Sequence, residues 1–106
     1  MSLVLHVDGD RWRQHLKATL AAQPDLVPVA KGNGYGFGNA RLARKAEWLG
    51  VDTIAVGTYA EIADVAPRCS ADILVLTPWR PWMTAELTDP RVIHTASRPE
   101  DVLALA

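Results

Sequence analysis

Apolar and polar positions alternate in two distinct rhythms along this chain. "LVLHV" (3–7) alternates with period two and predicts a strand. Trp12, Leu16 and Leu20 recur every four residues, which predicts a helix from a cap at Asp10 to about Ala22, stopped by Pro24. "LVPVAK" (26–31) reads as the next strand, with Pro28 near its start because proline cannot donate to a ladder. Leu42, Ala46 and Leu49 form the inner stripe of a helix over 40–49, capped by Asn39 and stopped by Gly50; Arg41, Arg44, Lys45 and Glu47 face water. "TIAVG" (53–57) is a short strand. Thr58 and Glu61 then match a Thr-x-x-Glu capping box for a helix to about Ala66, ended by Pro67. "DILVLT" (72–77) is a further strand, a short helix is predicted near 81–87, and "RVIHT" (91–95) is the last strand. Ser97 and Glu100 form a second capping box for a helix that runs to the chain end.

Strands thus begin near 26, 53, 72 and 91, each followed by a helical segment. Their apolar runs lack polar alternation, as expected of strands buried on both faces. Repeated βα units with buried strands imply a parallel α/β sheet with right-handed crossovers. An open doubly wound sheet and a β/α barrel both satisfy this. A complete TIM-type barrel needs eight strands and about 250 residues, so about four βα units make half of one. Val102, Leu103 and Leu105 continue the last helix's apolar pattern to the final residue with no stop signal. The expectation is a single partial domain over 1–106, the N-terminal part of a parallel β/α barrel, with residues 1–9 a leading strand that packs elsewhere in a longer protein. Such a piece leaves a strand edge unpaired and is expected to be unstable and without turnover alone.

Composition narrows the function classes. The 106 residues are 49% hydrophobic and 22% charged, ordinary for a globular chain, and the net charge of −1 gives no electrostatic case for nucleic acid or an anionic membrane. No run approaches the roughly 20 apolar residues of a membrane helix, and the N-terminus is too short for a signal peptide's apolar core, which predicts a cytoplasmic protein. One cysteine, Cys69, excludes an internal disulfide, and His6, His15 and His94 lie too far apart in the pattern for a metal site. Asp8, Asp10 and Asp52 read as turn or cap residues, and Trp12 and Trp48 as packing. Trp79 and Trp82 bracket Arg80, which allows a cation stack or packing under a loop.

The candidate chemistry lies in "VPVAKGNGYGFG" (27–38). Alternation puts Val27, Val29 and Lys31 on one strand face and Leu26, Pro28 and Ala30 on the other. Lys31 falls at the strand's C-terminal end, where barrels place their chemistry. Turned inward, it would be partly desolvated, and desolvation frees a lysine amine as a nucleophile. Such an amine suits a Schiff base with a carbonyl, such as the aldehyde of pyridoxal phosphate. Gly32, Gly34, Gly36 and Gly38 permit positive φ and close backbone approach. Tyr35 can bring a phenol, both donor and acceptor, to the same mouth. Neither a Walker loop nor G-x-G-x-x-G is present. A lysine at a strand end is ordinarily a solvated rim residue, so a purely structural reading stays open at this point.

These residues resemble the pyridoxal-phosphate lysine motif of alanine racemases, commonly Val-Lys-Ala-Asn-Ala-Tyr-Gly-His-Gly. Lys31, Asn33, Tyr35, Gly36 and Gly38 stand at matching positions, and "LARKAEWLGVDTIAVGTYAEIADV" and "ADILVLT" resemble the family's next strands and helix. The resemblance spans essentially all of the chain. It implies a barrel enzyme that interconverts L- and D-alanine, or another small amino acid, with pyridoxal 5'-phosphate as cofactor and a homodimeric full-length protein. Lys31 is similar to the lysine that carries the cofactor and acts as one of two acid/base groups. Tyr35 is similar to the tyrosine near the cofactor phosphate, and Leu76 to an apolar residue of the cofactor pocket. The leading strand would belong to the family's C-terminal β-domain. The second base, the arginine at the pyridine nitrogen and other phosphate contacts would lie beyond Ala106. Gly32 and Gly34 replace the usual alanines and Phe37 the usual histidine, which bears on substrate more than on cofactor. The alternatives are a non-catalytic cofactor-binding barrel and a structural fragment that binds nothing.

Overall fold

The computed structural model describes residues 2–83 and 89–106. Its elements run α1 (Gly9–Ala22), β1 (Val29–Ala30), α2 (Asn39–Leu49), β2 (Thr53–Val56), a 3-10 turn (Tyr59–Glu61) leading into α3 (Ile62–Val65), β3 (Asp72–Pro78), β4 (Val92–Thr95) and α4 (Pro99–Leu105). The four strands form one sheet in the order β1-β2-β3-β4, every neighbouring pair parallel. Parallel neighbours in sequential order, each pair joined by a crossover segment, are compatible with the start of a β/α barrel.

One face of the sheet carries the core. Ala30, Ile54, Val56, Ile73 and Val75 are buried against Ala43 and Ala46 of α2 and Val65 of α3. Small residues on α2 let the helix lie close to the strands. The pairs Ile54↔Ile73 and Val56↔Val75 place branched side chains side by side on this face. α1 buries none of its residues, but the stripe of Trp12, Leu16 and Leu20 is half-buried as its spacing predicted.

Polar clamps fix both ends of the sheet. Near the strands' N-terminal ends, Ser70 donates its N–H to Glu47 at 2.8 Å and its hydroxyl at 2.9 Å, and the Ser70 N–H bond chiefly holds the Glu47 carboxyl below its ordinary pKa. Arg91 forks onto Asp89 and also donates to the Ala66 and Cys69 carbonyls that close α3. Past the C-terminal ends of β3 and β4, Arg98 grips the fully buried Asp101 with two bonds of 2.8 Å, and Arg80 adds a third contact at 3.3 Å. The Arg98 bonds keep the Asp101 carboxyl below its ordinary pKa, so the buried charge is paired.

Several local expectations are corrected. Residues 3–7 form no strand: Leu3, Val4, Leu5 and Val7 are exposed, because a strand exists only against a partner and none of the described residues supplies one. The strand expected over 26–31 shrinks to Val29–Ala30, although the Pro28 carbonyl still accepts from Ala55 N–H at 2.8 Å. The cap of α1 is Asp8, which accepts from Arg11 N–H at 3.2 Å; Asp10 lies inside the first turn and pairs with Arg13. Gly38 rather than Asn39 precedes α2. Ser97 and Glu100 make no capping box: Pro99 starts α4, so the cap position falls on Arg98, with no side-chain cap bond. The Thr58–Glu61 box is present. The short helix expected near 81–87 falls largely outside the described residues.

Candidate functional site

The sheet face opposite the core carries the candidate chemistry. The register Val29↔Ala55↔Leu74↔Ile93 runs as a row across that face. One pair further along, Ala30↔Val56↔Val75 belongs to the core face. Continued by one more residue, the register brings Lys31, Gly57 and Leu76 into a second row on the open face, at the strands' C-terminal ends. Lys31 and Leu76 are two strands apart, about 10 Å. Between them Gly57 carries no side chain, and a Cβ built there would stand 3.2 Å from the Lys31 Cβ. The gap at Gly57 is therefore what gives the lysine stem its room.

Lys31 is exposed on this face, and Leu76 is 40% exposed. Because Lys31 is exposed, the described residues do not supply the expected burial around its amine. Among the described residues the Lys31 ammonium makes no ion pair.

The loop after Lys31 is a tight knot built on left-handed backbone. Gly32, Gly34, Gly36 and Gly38 have φ of +60°, +65°, +88° and +87°, and Tyr35 also has a positive φ of +55°. Gly34 has a second reason to be glycine: a Cβ there would lie 2.5 Å from the Gly38 carbonyl carbon and 2.8 Å from Asn39 N. Gly34 N–H donates to the Lys31 carbonyl at 3.0 Å and Gly38 N–H to the Asn33 carbonyl at 2.8 Å. Asn39, buried at the start of α2, donates its side-chain amide to the Gly32 carbonyl at 2.8 Å. The same nitrogen reaches Glu61 at 3.3 Å and Asp64 at 3.4 Å, acceptors that fix the amide's orientation and leave its own Oδ1 without a donor.

Glu61 ties this loop to β2. Its Oε2 accepts from Gly32 N–H at 2.5 Å, and its Oε1 accepts from Thr58 N–H at 2.8 Å and Thr58 Oγ at 3.0 Å. Burial pulls the carboxyl pKa upward, but the bonds from Thr58, Gly32 and Asn39 together outweigh it and hold Glu61 below its ordinary 4.5. The capping box exposed Glu61 to sequence reading; its bond to Gly32, 29 residues away, has no local signal.

Tyr35 and Lys31 are not walls of one cavity. Tyr35 lines a groove of about 570 Å³ between the loop, α1 and α2, with Trp12, Phe37, Arg41, Arg44 and Lys45 among its walls; Lys31 does not line it. Phe37 stacks on Trp12, ring centroids 4.9 Å apart and planes 9° from parallel, and the Lys45 ammonium sits 5.3 Å over the Trp12 ring. The cation over Trp82 is Arg98 at 5.9 Å, while Arg80 donates to the Trp79 carbonyl at 3.1 Å and to Asp101 at 3.3 Å. Tyr59 bonds His94 Nδ1 at 2.9 Å, and burial raises its phenol pKa.

Residues 8–106 match the family described as alanine racemase, N-terminal domain. The chain belongs to the alanine racemase N-terminal domain family. No curated protein and no solved structure matches it. Alanine racemase N-terminal domains are generally associated with pyridoxal phosphate. The open face fits the aldehyde end of that group: an amine at a strand tip, a gap beside it at Gly57 and the apolar Leu76 beyond. The basic lining of the Tyr35 groove suits an anion. No helix among the described residues is long and apolar enough to cross a membrane, and none of them form a cluster of metal-ligating side chains.

Proposed function

We propose that this chain is the cofactor-holding part of a pyridoxal-phosphate-dependent racemase acting on a small amino acid, alanine being the first candidate. The observation that carries the reading is the placement of Lys31 on the open sheet face, in one row with Gly57 and Leu76, within a chain matched to the family over residues 8–106. Lys31 Nζ would hold the cofactor by bonding its aldehyde carbon, with water leaving, and would be released as a free amine once the substrate's own amine takes its place. Leu76 offers an apolar wall. Tyr35 is assigned to the phosphate end on its place in the motif alone, since the groove it lines with Arg41 and Arg44 does not include Lys31. When bound, the cofactor supplies a ring that spreads the negative charge left as the substrate's α-proton departs. Lys31 Nζ is the atom that takes and returns that proton on one face of the α-carbon. A second base on the opposite face completes racemisation. Tyr59 does not offer one, since its phenol is engaged by His94 and sits on the side of the sheet that carries the core. The proposed setting is a cytoplasmic enzyme working as a homodimer in its full-length form.

Addition of pyridoxal phosphate should give a visible absorption band that borohydride abolishes and that Lys31→Ala lacks. Addition of L-alanine in deuterated water should then exchange the α-proton, the step assigned to Lys31. A band without exchange supports a non-catalytic cofactor-binding protein. A band undiminished in Lys31→Ala overturns the reading.

A further inference from the structure

We infer that Glu61 is the residue that positions Lys31, acting through the peptide group between Lys31 and Gly32; the catalytic meaning of this rests on the function proposed above. β1 ends its regular pairing at Ala30↔Val56, one residue before the lysine. Beyond that point, the Lys31–Gly32 peptide plane is gripped at both ends. Its carbonyl oxygen accepts from Gly34 N–H at 3.0 Å, and its N–H donates to Glu61 Oε2 at 2.5 Å. Fixing this plane fixes ψ of Lys31, and with it the direction in which the side chain leaves the backbone.

The two grips differ in kind. Gly34 belongs to the same loop and moves with it. Glu61 is anchored through Thr58 N–H and Thr58 Oγ, two residues past the end of β2, so it ties the lysine to the segment that leaves the neighbouring strand. Its bond to Gly32 is charge-assisted, because the carboxyl is held in its ionised form. Glu61 also stands at the gap that admits the lysine stem: a Cβ on Gly57 would lie 2.9 Å from Glu61 Oε1 and 3.2 Å from Lys31 Cβ. One carboxylate thus sets the loop, the cap of the following turn and the edge of the lysine's cradle. Asn39 completes the hub by bonding both the Gly32 carbonyl and Glu61 Oε2.

Glu61→Gln tests this, because a carboxamide presents one acceptor oxygen where the carboxylate presents two. Glu47→Gln is the matched control: Glu47 makes a similar staple to Ser70 at the opposite end of the sheet, far from Lys31. Amide hydrogen exchange at Gly32 should quicken about tenfold or more in Glu61→Gln, as expected for loss of a charge-assisted bond, and stay unchanged in Glu47→Gln. Pyridoxal phosphate affinity, titrated by its visible band, should fall about tenfold in Glu61→Gln alone. Quickened exchange with unchanged affinity would leave Glu61 a structural cap and overturn the positioning role. Unchanged exchange at Gly32 would overturn the inference outright. If the unaltered chain takes up no cofactor, the proposed function fails, while the Gly32 exchange rate still decides whether Glu61 holds the Lys31 peptide.

Discussion

Gly34→Ala is the sharpest test of why the loop after Lys31 needs its glycines. Two costs meet at this position. The first is conformational: at φ +65° an L side chain costs about 1–2 kcal/mol, partly offset by a gain of about 0.4–1 kcal/mol from a stiffer unfolded chain. The second is steric. The new Cβ would stand 2.5 Å from the Gly38 carbonyl carbon, 2.7 Å from its oxygen and 2.8 Å from Asn39 N. Carbon contacts are comfortable at about 3.5–4.0 Å, so the backbone at the start of α2 must retreat by about 1 Å. That retreat strains the Gly38 N–H bond to Asn33 and the Asn39 bond to the Gly32 carbonyl, each 2.8 Å and each worth about 1 kcal/mol. The sum is about 3 kcal/mol. Gly36→Ala is the internal comparison, since at φ +88° it has the conformational cost but nothing within 4 Å of the added carbon. Urea or thermal unfolding of the two variants side by side should show Gly34→Ala less stable than Gly36→Ala by about 2 kcal/mol, roughly 8–16 °C in Tm. Stabilities within about 0.5 kcal/mol of each other would refute the steric half of this reasoning.

Three further outcomes are expected. Gly57→Ala forces the Lys31 stem or the Glu61 carboxylate aside, so its pyridoxal phosphate affinity should drop while far-ultraviolet circular dichroism stays native. Phe37→Ala removes the stack on Trp12 and should lower stability by about 1 kcal/mol and alter tryptophan fluorescence; an unchanged spectrum would contradict the stacked geometry. Glu61, with its pKa depressed in the fold, contributes stability that is fully present above its ordinary 4.5 and is lost as pH falls through the lower folded value. Acid unfolding curves of the unaltered chain and Glu61→Gln should therefore converge below pH 4.5, and a constant offset across that window would contradict the depressed pKa.

Much of this arrangement was legible from local pattern. Buried β-runs such as "DILVLT" announced a parallel sheet, and β3 occupies that run with one residue added. The Thr58–Glu61 spacing announced its capping box, and the alternate glycines of 32–38 announced left-handed backbone. What failed depended on partners distant in sequence. Alternation in 3–7 states only that a strand would suit those residues; with no neighbouring strand their backbone stays unpaired. Two acidic residues flanked the start of α1, and pattern alone could not choose Asp8 over Asp10. Asn39 looked like a cap, but Gly38 at φ +87° takes that position and frees the Asn39 amide for Gly32 and Glu61. The motif put Tyr35 four residues from Lys31, yet left-handed φ at 34, 35 and 36 turns the ring toward α1 and α2.

Of Lys17, Lys31 and Lys45, only Lys31 is assigned the covalent bond to the cofactor. The direct measurement is borohydride reduction of the protein mixed with pyridoxal phosphate, followed by proteolysis and mass mapping of the labelled peptide. The account predicts a single phosphopyridoxyl group on the peptide bearing Lys31. A label shared with Lys17 and Lys45, or absent from Lys31, would contradict it.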